Sequence, residues 1–387
     1  MATIVLSSYV IRYPVGGILS SNLQFLSGFT RLGHEVVLVE SSGWPNACFD
    51  PCHLTLGDDP AAGIAALSAA LEDEDLPVAW AFVDLDGTVH GLEPAELDAV
   101  FDRADLFIDR GLHGTFTEET ADVPVRVLVD PDPGYRQIQM TVGHEHRAES
   151  PDFDAYYTYG HNIGTERSPA PTASVDWRHL LHPVDVSRVE ATVPPLGGPF
   201  TTVMNWRSLP PISYEGRSYG MKDTQFPLFR ELPATAIGPF EVAVEGEDCD
   251  ADLLRDAGWI VSDAVEATRD LAAYRSFIAR SFGEFSVLKE VYVALEVGWF
   301  SDRSALYLAH GRPVVVQDNG LEGHLPLGEG LFSVKDLDEA ASAIDEIRRD
   351  PRRHARAARR IAESYLDTDV VLRRFLRELG FSAEGSP

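Results

Sequence analysis

Twenty residues, Gly298 to Gln317, constrain the fold of this chain more tightly than any other stretch. Ser301 is suited to cap a helix, because its hydroxyl can accept from an amide that the first turn leaves free. Ser304 to His310 then read as a short helix with its leucines and alanines facing inward. Gly311 supplies a left-handed stop, and Pro313 forbids continuation. Val314, Val315 and Val316 form an unbroken apolar run, the mark of a parallel strand covered on both faces. A helix N-terminus at the carboxyl end of such a sheet favours an anion. Arg303 in the first turn adds a positive charge and a planar fork suited to phosphate. The competing reading is an ordinary αβ unit in which Arg303 pairs with Asp302 at the surface.

The same alternation runs from the N-terminus. Ile4–Leu6 is a buried strand, Tyr13–Gly17 a loop carrying Gly16 and Gly17, and Leu19, Leu23 and Leu26 mark one helical face. Gly33 ends that helix before the strand Val36–Val39. The glycine pair lets backbone approach a ligand closely. It lacks the three spaced glycines of a dinucleotide fingerprint, so no nicotinamide or flavin site is expected. Helices at Ala61–Leu71 and Glu93–Phe101 alternate with strands at Val78–Val83, Leu106–Asp109, Val125–Val129 and Ala155–Tyr159. The loops after these strands repeatedly carry Asp, His, Asn and Gly, among them His113, Asp132 and His161. That pattern describes a doubly wound sheet with its ligand crevice on that edge.

Periodicity fades before Pro199, and residues 194–199 read as a Pro/Gly linker. The αβ pattern restarts with the strand Phe200–Met204, which ends in Asn205, Trp206 and Arg207. A helix at Phe226–Leu232, strands at Phe240–Val244, Trp259–Val261 and Phe285–Leu288, and helices at Ala251–Ala257 and Leu271–Arg280 follow. Helices at Asp336–Arg348, Arg352–Tyr365 and Val370–Leu379 close the chain. The expected architecture is α/β, with two Rossmann-like lobes at 1–193 and 200–369, an interlobe cleft, modest interlobe contact and hinge motion. Residues 370–387 form a terminal helix and tail.

The formal net charge of −29 argues against nucleic-acid binding and against an anionic membrane surface, both of which select basic faces. It leaves room for an anionic small ligand held by a local cluster of Arg and Lys. The basic run from Arg348 to Arg360 is interleaved with acids and lacks an aromatic platform, so it reads as a solvated helix face. Three cysteines, Cys48, Cys52 and Cys249, fit a reducing cytoplasm. Cys48, Cys52 and His53 lie close together but lack a second ligand cluster, so no metal is expected. The N-terminus reads as a strand, not a signal peptide, and no run is long enough to span a bilayer.

Several segments together resemble bacterial glycosyltransferases of the two-lobed GT-B type. They are Gly283-Glu284-Phe285-Ser286-Val287, Gly298-Trp299-Phe300-Ser301-Asp302-Arg303-Ser304 and Gly311-Arg312-Pro313-Val314-Val315-Val316-Gln317-Asp318. Thr202-Val203-Met204-Asn205-Trp206, Gly220-Met221-Lys222-Asp223 and Tyr159-Gly160-His161-Asn162-Ile163-Gly164 extend the likeness over most of the chain. The resemblance implies a nucleotide-sugar co-substrate on the C-terminal lobe and no separate cofactor. It also implies an acceptor on the N-terminal lobe and a last helix crossing back to that lobe. Many retaining members carry two glutamates eight positions apart, and those places are Gly298 and Leu306 here. The stereochemical outcome therefore does not carry over. Asp318, Asn319 and Glu322 are candidates for the ribose or sugar, and each also suits a turn.

Sugar transfer requires the leaving pyrophosphate to be stabilised as its charge grows. The candidates are Gly16 and Gly17, the amides around Ser301–Ser304, Arg303, and Lys222, Lys289 or Arg207 from neighbouring loops. Asp302 is assigned to orienting Arg303 or capping the helix, and Trp206, Trp299 and Phe300 to stacking or core packing. An inverting reaction needs a base, for which His113, Asp132 and His161 are the candidates. The expected activity is metal-independent transfer to a small soluble acceptor in the cytoplasm. A nucleotide-sugar epimerase or hydrolase, or a non-catalytic nucleotide-sugar-binding protein, is the alternative.

Overall fold

A computed structural model describes residues 1–110, 116–143, 153–246 and 248–381. The first lobe is built on an eight-stranded sheet. Its spatial order is Trp177–His179, Ala155–Thr158, Val125–Asp130, Leu106–Asp109, Thr3–Ser7, Glu35–Ser41, Ala79–Val83 and Val89–Gly91. All neighbours run parallel except the last pair. The second lobe has six parallel strands, in the order Ile260–Asp263, Phe240–Glu245, Phe200–Asn205, Gly283–Ser286, Val314–Gln317 and Leu331–Val334. Val314, Val315 and Val316 are fully buried, as a strand covered on both faces requires.

In each sheet the strand order reverses once. The reversal falls between Thr3–Ser7 and Leu106–Asp109 in the first, and between Phe200–Asn205 and Gly283–Ser286 in the second. Open α/β sheets hold ligands outside the carboxyl ends of strands at such a reversal. Ser8 and Arg110, directly after the first pair of strands, and Lys289, shortly after Gly283–Ser286, reach the cleft between the lobes.

The lobes meet over much more than the modest contact expected from the sequence. The helix Gly16–Arg31 packs on the second lobe's helix Leu271–Ala279, and Glu74 lies between Arg188 and Arg275. Gly160 bridges to Trp299, and the Asn162 amide donates to the Val297 carbonyl at 2.9 Å. The fully buried Asn162 side chain donates to Glu296 and Gly320 carbonyls at 2.7 and 2.9 Å. Buried backbone carbonyls need such donors, so this seam fixes the loop 160–163 against the second lobe.

The terminal helix, Thr368–Glu378, crosses back as expected. Val371, Leu372, Phe375 and Leu376 join the first lobe's core with Leu26, Phe29 and Tyr157. Gly28 permits the close crossing, since a Cβ there would lie 2.5 Å from Leu372. Arg31 ties the crossing together through Asp185, Asp367 and Asp369.

Two of the expected elements are shifted or divided. Phe226–Leu232 is a 3-10 turn at Phe226–Phe229, followed by a separate helix at Leu232–Thr235, because Pro227 and Pro233 each start a new turn. The strand expected at Phe285–Leu288 lies at Gly283–Ser286, and Gly283 tolerates the close approach of Phe200 and the Pro313 carbonyl.

Candidate functional site

A cavity of about 230 Å³ lies between the lobes at the two strand-order reversals. Ser8, Tyr9 and Arg110 enter it from the ends of the first lobe's central strands, and Asp132, Tyr159 and His182 from neighbouring loops. The second lobe contributes Lys222, Lys289, Tyr292, Trp299 and Asp302.

The cations are arranged unequally. Lys289 pairs with Asp132, which also accepts from the Tyr292 hydroxyl at 2.5 Å. Burial alone would raise the Asp132 pKa, but Lys289 and Tyr292 outweigh it and hold the carboxyl below its usual range. Arg110 donates to Asn22 at 2.6 Å and Ser21 at 2.9 Å, with its fork lying over Phe25. The Lys222 ammonium has neither an ion pair nor a hydrogen bond among the described residues. Burial, then the neighbouring charges of Arg303 and Lys289, push its pKa well below the usual lysine value. Glu284 and Asp302 offset this only in part, so an anion bound here would favour the charged form of Lys222.

Several lining groups carry buried polar atoms without a partner among the described residues. They are the Ser8 and Tyr159 hydroxyls, Arg110 Nε, both ring nitrogens of His182 and the indole N–H of Trp299. Such atoms are rare in native interiors and mark a polar site.

Ser301 caps the helix Asp302–Ala309, accepting from the Arg303 amide at 3.1 Å. The Asp302 carboxylate accepts from the same amide at 2.8 Å. A carboxylate thus stands at the positive end of this helix, where a phosphate was expected. The Arg303 guanidinium does not line the cavity: it donates to Glu284 at 2.5 Å, to the Val203 carbonyl at 2.6 Å and to Ser286 at 2.8 Å. Both the phosphate clamp at Arg303 and its surface pairing with Asp302 are therefore corrected. Arg303 is an internal brace linking two neighbouring strands and the helix.

Other candidates are also relocated. Gly16 and Gly17 face the helix Leu271–Ala279, and a Cβ on Gly16 would lie 2.3 Å from the Asp270 carbonyl. The smallness of Gly16 serves interlobe packing, and neither glycine lines the cavity. Arg207 is exposed and paired with Asp223 at 2.6 Å and with Asp248. Asn205 is exposed at its strand end, whereas Trp206, Phe300 and Ser304 are buried. Trp206 packs on Phe226. His161 lies in the interlobe seam near His179 and His324, outside the cavity. His113 lies outside the described residues.

Asp318, Asn319 and Glu322 line a different cavity, of about 710 Å³, with Arg167 and Lys335. Asp318 accepts from Ser333 at 2.8 Å, and Asn319 holds the Trp299 backbone from both sides, at 2.5 and 3.1 Å. They therefore lie apart from the cavity that Lys222 and Lys289 line. The sequence reading missed Tyr9, Arg110, Tyr159, His182 and Tyr292. Arg110 had a signal, because it directly follows the buried strand Leu106–Asp109. The paired glutamates are absent for a visible reason. Gly298 has φ +70°, and its Cβ would lie 3.0 Å from Asn162 Nδ2, while Leu306 is a core residue. Among the described residues no group of three or more His, Cys, Asp or Glu is placed to hold a metal ion, and no helix is long and apolar enough to cross a membrane.

The two facing Rossmann-like lobes, the cleft at their strand-order reversals and the returning terminal helix define the GT-B architecture. Among solved structures, the chain is similar to an alpha-glucosyltransferase in complex with UDP and a 13-mer DNA (TM-score 0.55, 11% identity, 98% of this chain and 99% of that one). It is also similar to HepE of Anabaena in complex with UDP and glucose (TM-score 0.53, 13% identity, 98% and 100%). Sucrose-phosphate synthase from Thermosynechococcus elongatus gives a TM-score of 0.55 at 13% identity, covering 98% and 99%. At such identities the likeness establishes the fold. No protein-family description and no curated protein matches the chain.

Proposed function

We propose that the protein is a glycosyltransferase that moves a sugar from a nucleotide-sugar donor to a small soluble acceptor. The observation that carries this reading is the Lys222 amine, which faces the interlobe cavity without an ion pair among the described residues and has Lys289 beside it. A diphosphate supplies the missing negative charge. As the bond between the anomeric carbon and the phosphate oxygen breaks, charge grows on the leaving diphosphate, and Lys222, Lys289 and Arg110 stabilise it more strongly than the ground state. These cations supply that stabilisation without a metal.

In this reading the sugar lies in the cavity among Tyr159, His182, Trp299 and Asp302, and the diphosphate at Lys222. The nucleoside extends along the carboxyl ends of Phe240–Glu245 and Ile260–Asp263. A groove of about 450 Å³ there is lined by Val244, Glu245, Gly246, Val261 and Asp263. The acceptor enters from the first lobe. The net charge of −29 disfavours a nucleic-acid acceptor and suits a small molecule, in a cytoplasmic setting. A panel of UDP-, GDP-, dTDP- and ADP-activated sugars, read by thermal shift, tests the reading. At least one should raise Tm, and Lys222→Ala should abolish that rise. No rise from any of them at millimolar concentration rejects it.

A further inference from the structure

We infer that His182 takes the proton from the acceptor hydroxyl, with Asp302 as the positioning residue for the imidazolium that forms, so that transfer inverts the anomeric centre. This rests on the donor-site reading above. His182 is 6% exposed and lines the same cavity as Lys222 and Lys289. Its ring stacks on Tyr159 at 3.5 Å with an interplanar angle of 15°, which fixes the ring plane without engaging either nitrogen. Both nitrogens are without a hydrogen-bond partner among the described residues. A buried imidazole with two uncommitted nitrogens beside a substrate-sized space is available for proton transfer.

Among the described residues, the other basic groups at the cavity are committed or unsuited. Asp132 is held by Lys289 and Tyr292. His161 is outside the cavity, in the seam. Tyr9 has its phenol pushed up to about 12, by burial first and then by Asp132, so it is no base at neutral pH. Among the described residues, the titratable groups facing His182 are Asp302, Arg110 and Tyr159. Burial pushes the imidazole down to about 4, Asp302 opposes this, and Arg110 adds to it. The ring is therefore neutral at pH 7 and able to accept a proton.

The step balances without another reagent. The acceptor oxygen forms its bond to the anomeric carbon from the face opposite the leaving group. The carbon–oxygen bond to the diphosphate breaks, and the diphosphate departs with the electron pair. The hydroxyl proton passes to a ring nitrogen of His182 and leaves to solvent after product release. Asp302 faces the imidazolium while it carries that proton and stabilises it through space.

Water can replace the unknown acceptor, so the test needs only the donor. UDP-α-glucose, or the α-linked activated sugar that the panel selects, is incubated with the protein, and the anomer released first is read by NMR. The β-sugar is expected; the α-sugar overturns the inference even if no variant folds. His182→Gln should lower kcat by about 100-fold or more, with nucleotide diphosphate affinity unchanged by calorimetry. It should also remove the acid limb of the pH profile. Asp302→Asn should move that limb to lower pH, since the imidazolium loses its carboxylate. A His182→Gln kcat within about fivefold of wild type, or an unmoved limb, overturns the inference. Failure of every nucleotide sugar to bind overturns the donor reading, and the inference with it. Binding followed by either contrary result overturns the inference alone.

Discussion

The guanidinium of Arg303 meets the carboxylate of Glu284 at 2.5 Å, and Glu284 is fully buried. The pair braces the helix Asp302–Ala309 against Gly283–Ser286, and the same guanidinium reaches the Val203 carbonyl of Phe200–Asn205. Removing one partner of such a pair leaves the other charge buried, at a cost of about 3–5 kcal/mol. Arg303→Ala should therefore lower unfolding free energy by that order, measured by urea denaturation, with donor affinity of the folded fraction little changed. Arg303→Lys should recover only part of the loss, because one ammonium cannot make three directed contacts. A stable Arg303→Ala protein with weakened donor binding would return Arg303 to the phosphate site.

Lys222 should behave in the opposite way. Its amine is half-buried beside two other cations, Arg303 and Lys289, which disfavour its charged form in the free protein. Lys222→Ala should leave Tm unchanged or raise it, while weakening nucleotide diphosphate binding by about 2–3 kcal/mol, or about 30- to 150-fold. Calorimetry on the two proteins checks both halves. Unchanged affinity would remove the central support for the donor site.

Stability should fall in mild acid. Burial pushes His161 down to about 3, followed by the charges of His324 and His179, and pushes His182 and His310 down to about 4. Their ordinary value is 6.5, so between pH 6.5 and about 4 the unfolded chain binds protons that the native one refuses. Each such group steepens the loss by about 1.4 kcal/mol per pH unit as pH falls through that window. His161→Asn should flatten the dependence of unfolding free energy on pH between 6.5 and 4.5 relative to wild type. An identical slope in the two proteins would show that His161 is protonated in the folded state.

Neighbouring glycines offer a controlled pair. A Cβ on Gly16 would lie 2.3 Å from the Asp270 carbonyl, whereas one on Gly17 meets nothing closer than 3.8 Å. Gly16→Ala should push apart the helices Gly16–Arg31 and Leu271–Ala279 and cost about 1–3 kcal/mol. Gly17→Ala should be neutral or slightly stabilising, since alanine is the better helix former. Thermal unfolding of both variants decides it, and equal Tm values would contradict the tight interlobe contact.

These contrasts show where sequence was informative. The capping by Ser301, the stop at Gly311 and the buried strand after it depend on neighbours within a few positions, so local pattern sufficed. The destination of Arg303 depends on Ser286, Glu284 and Val203, which are 17, 19 and 100 positions away. No spacing rule reaches that far. The helix Tyr135–Val142 was missed because Arg136 and Gln137 sit buried at its start, where the pattern looks polar. His182 follows the edge strand Trp177–His179, in a stretch without periodicity. It gains meaning only when Tyr159 and Asp302 are brought around it.

The returning helix Thr368–Glu378 has a consequence for biosynthesis. Leu372 and Phe375 complete the packing around Phe29 and Tyr157, yet they leave the ribosome hundreds of residues later. The usual order, in which an N-terminal unit finishes folding while the rest is being made, is denied to this chain. Its first sheet must wait with part of its apolar cover missing until Thr368–Glu378 has been made. Premature termination near residue 367 would therefore damage the half of the molecule that was made first.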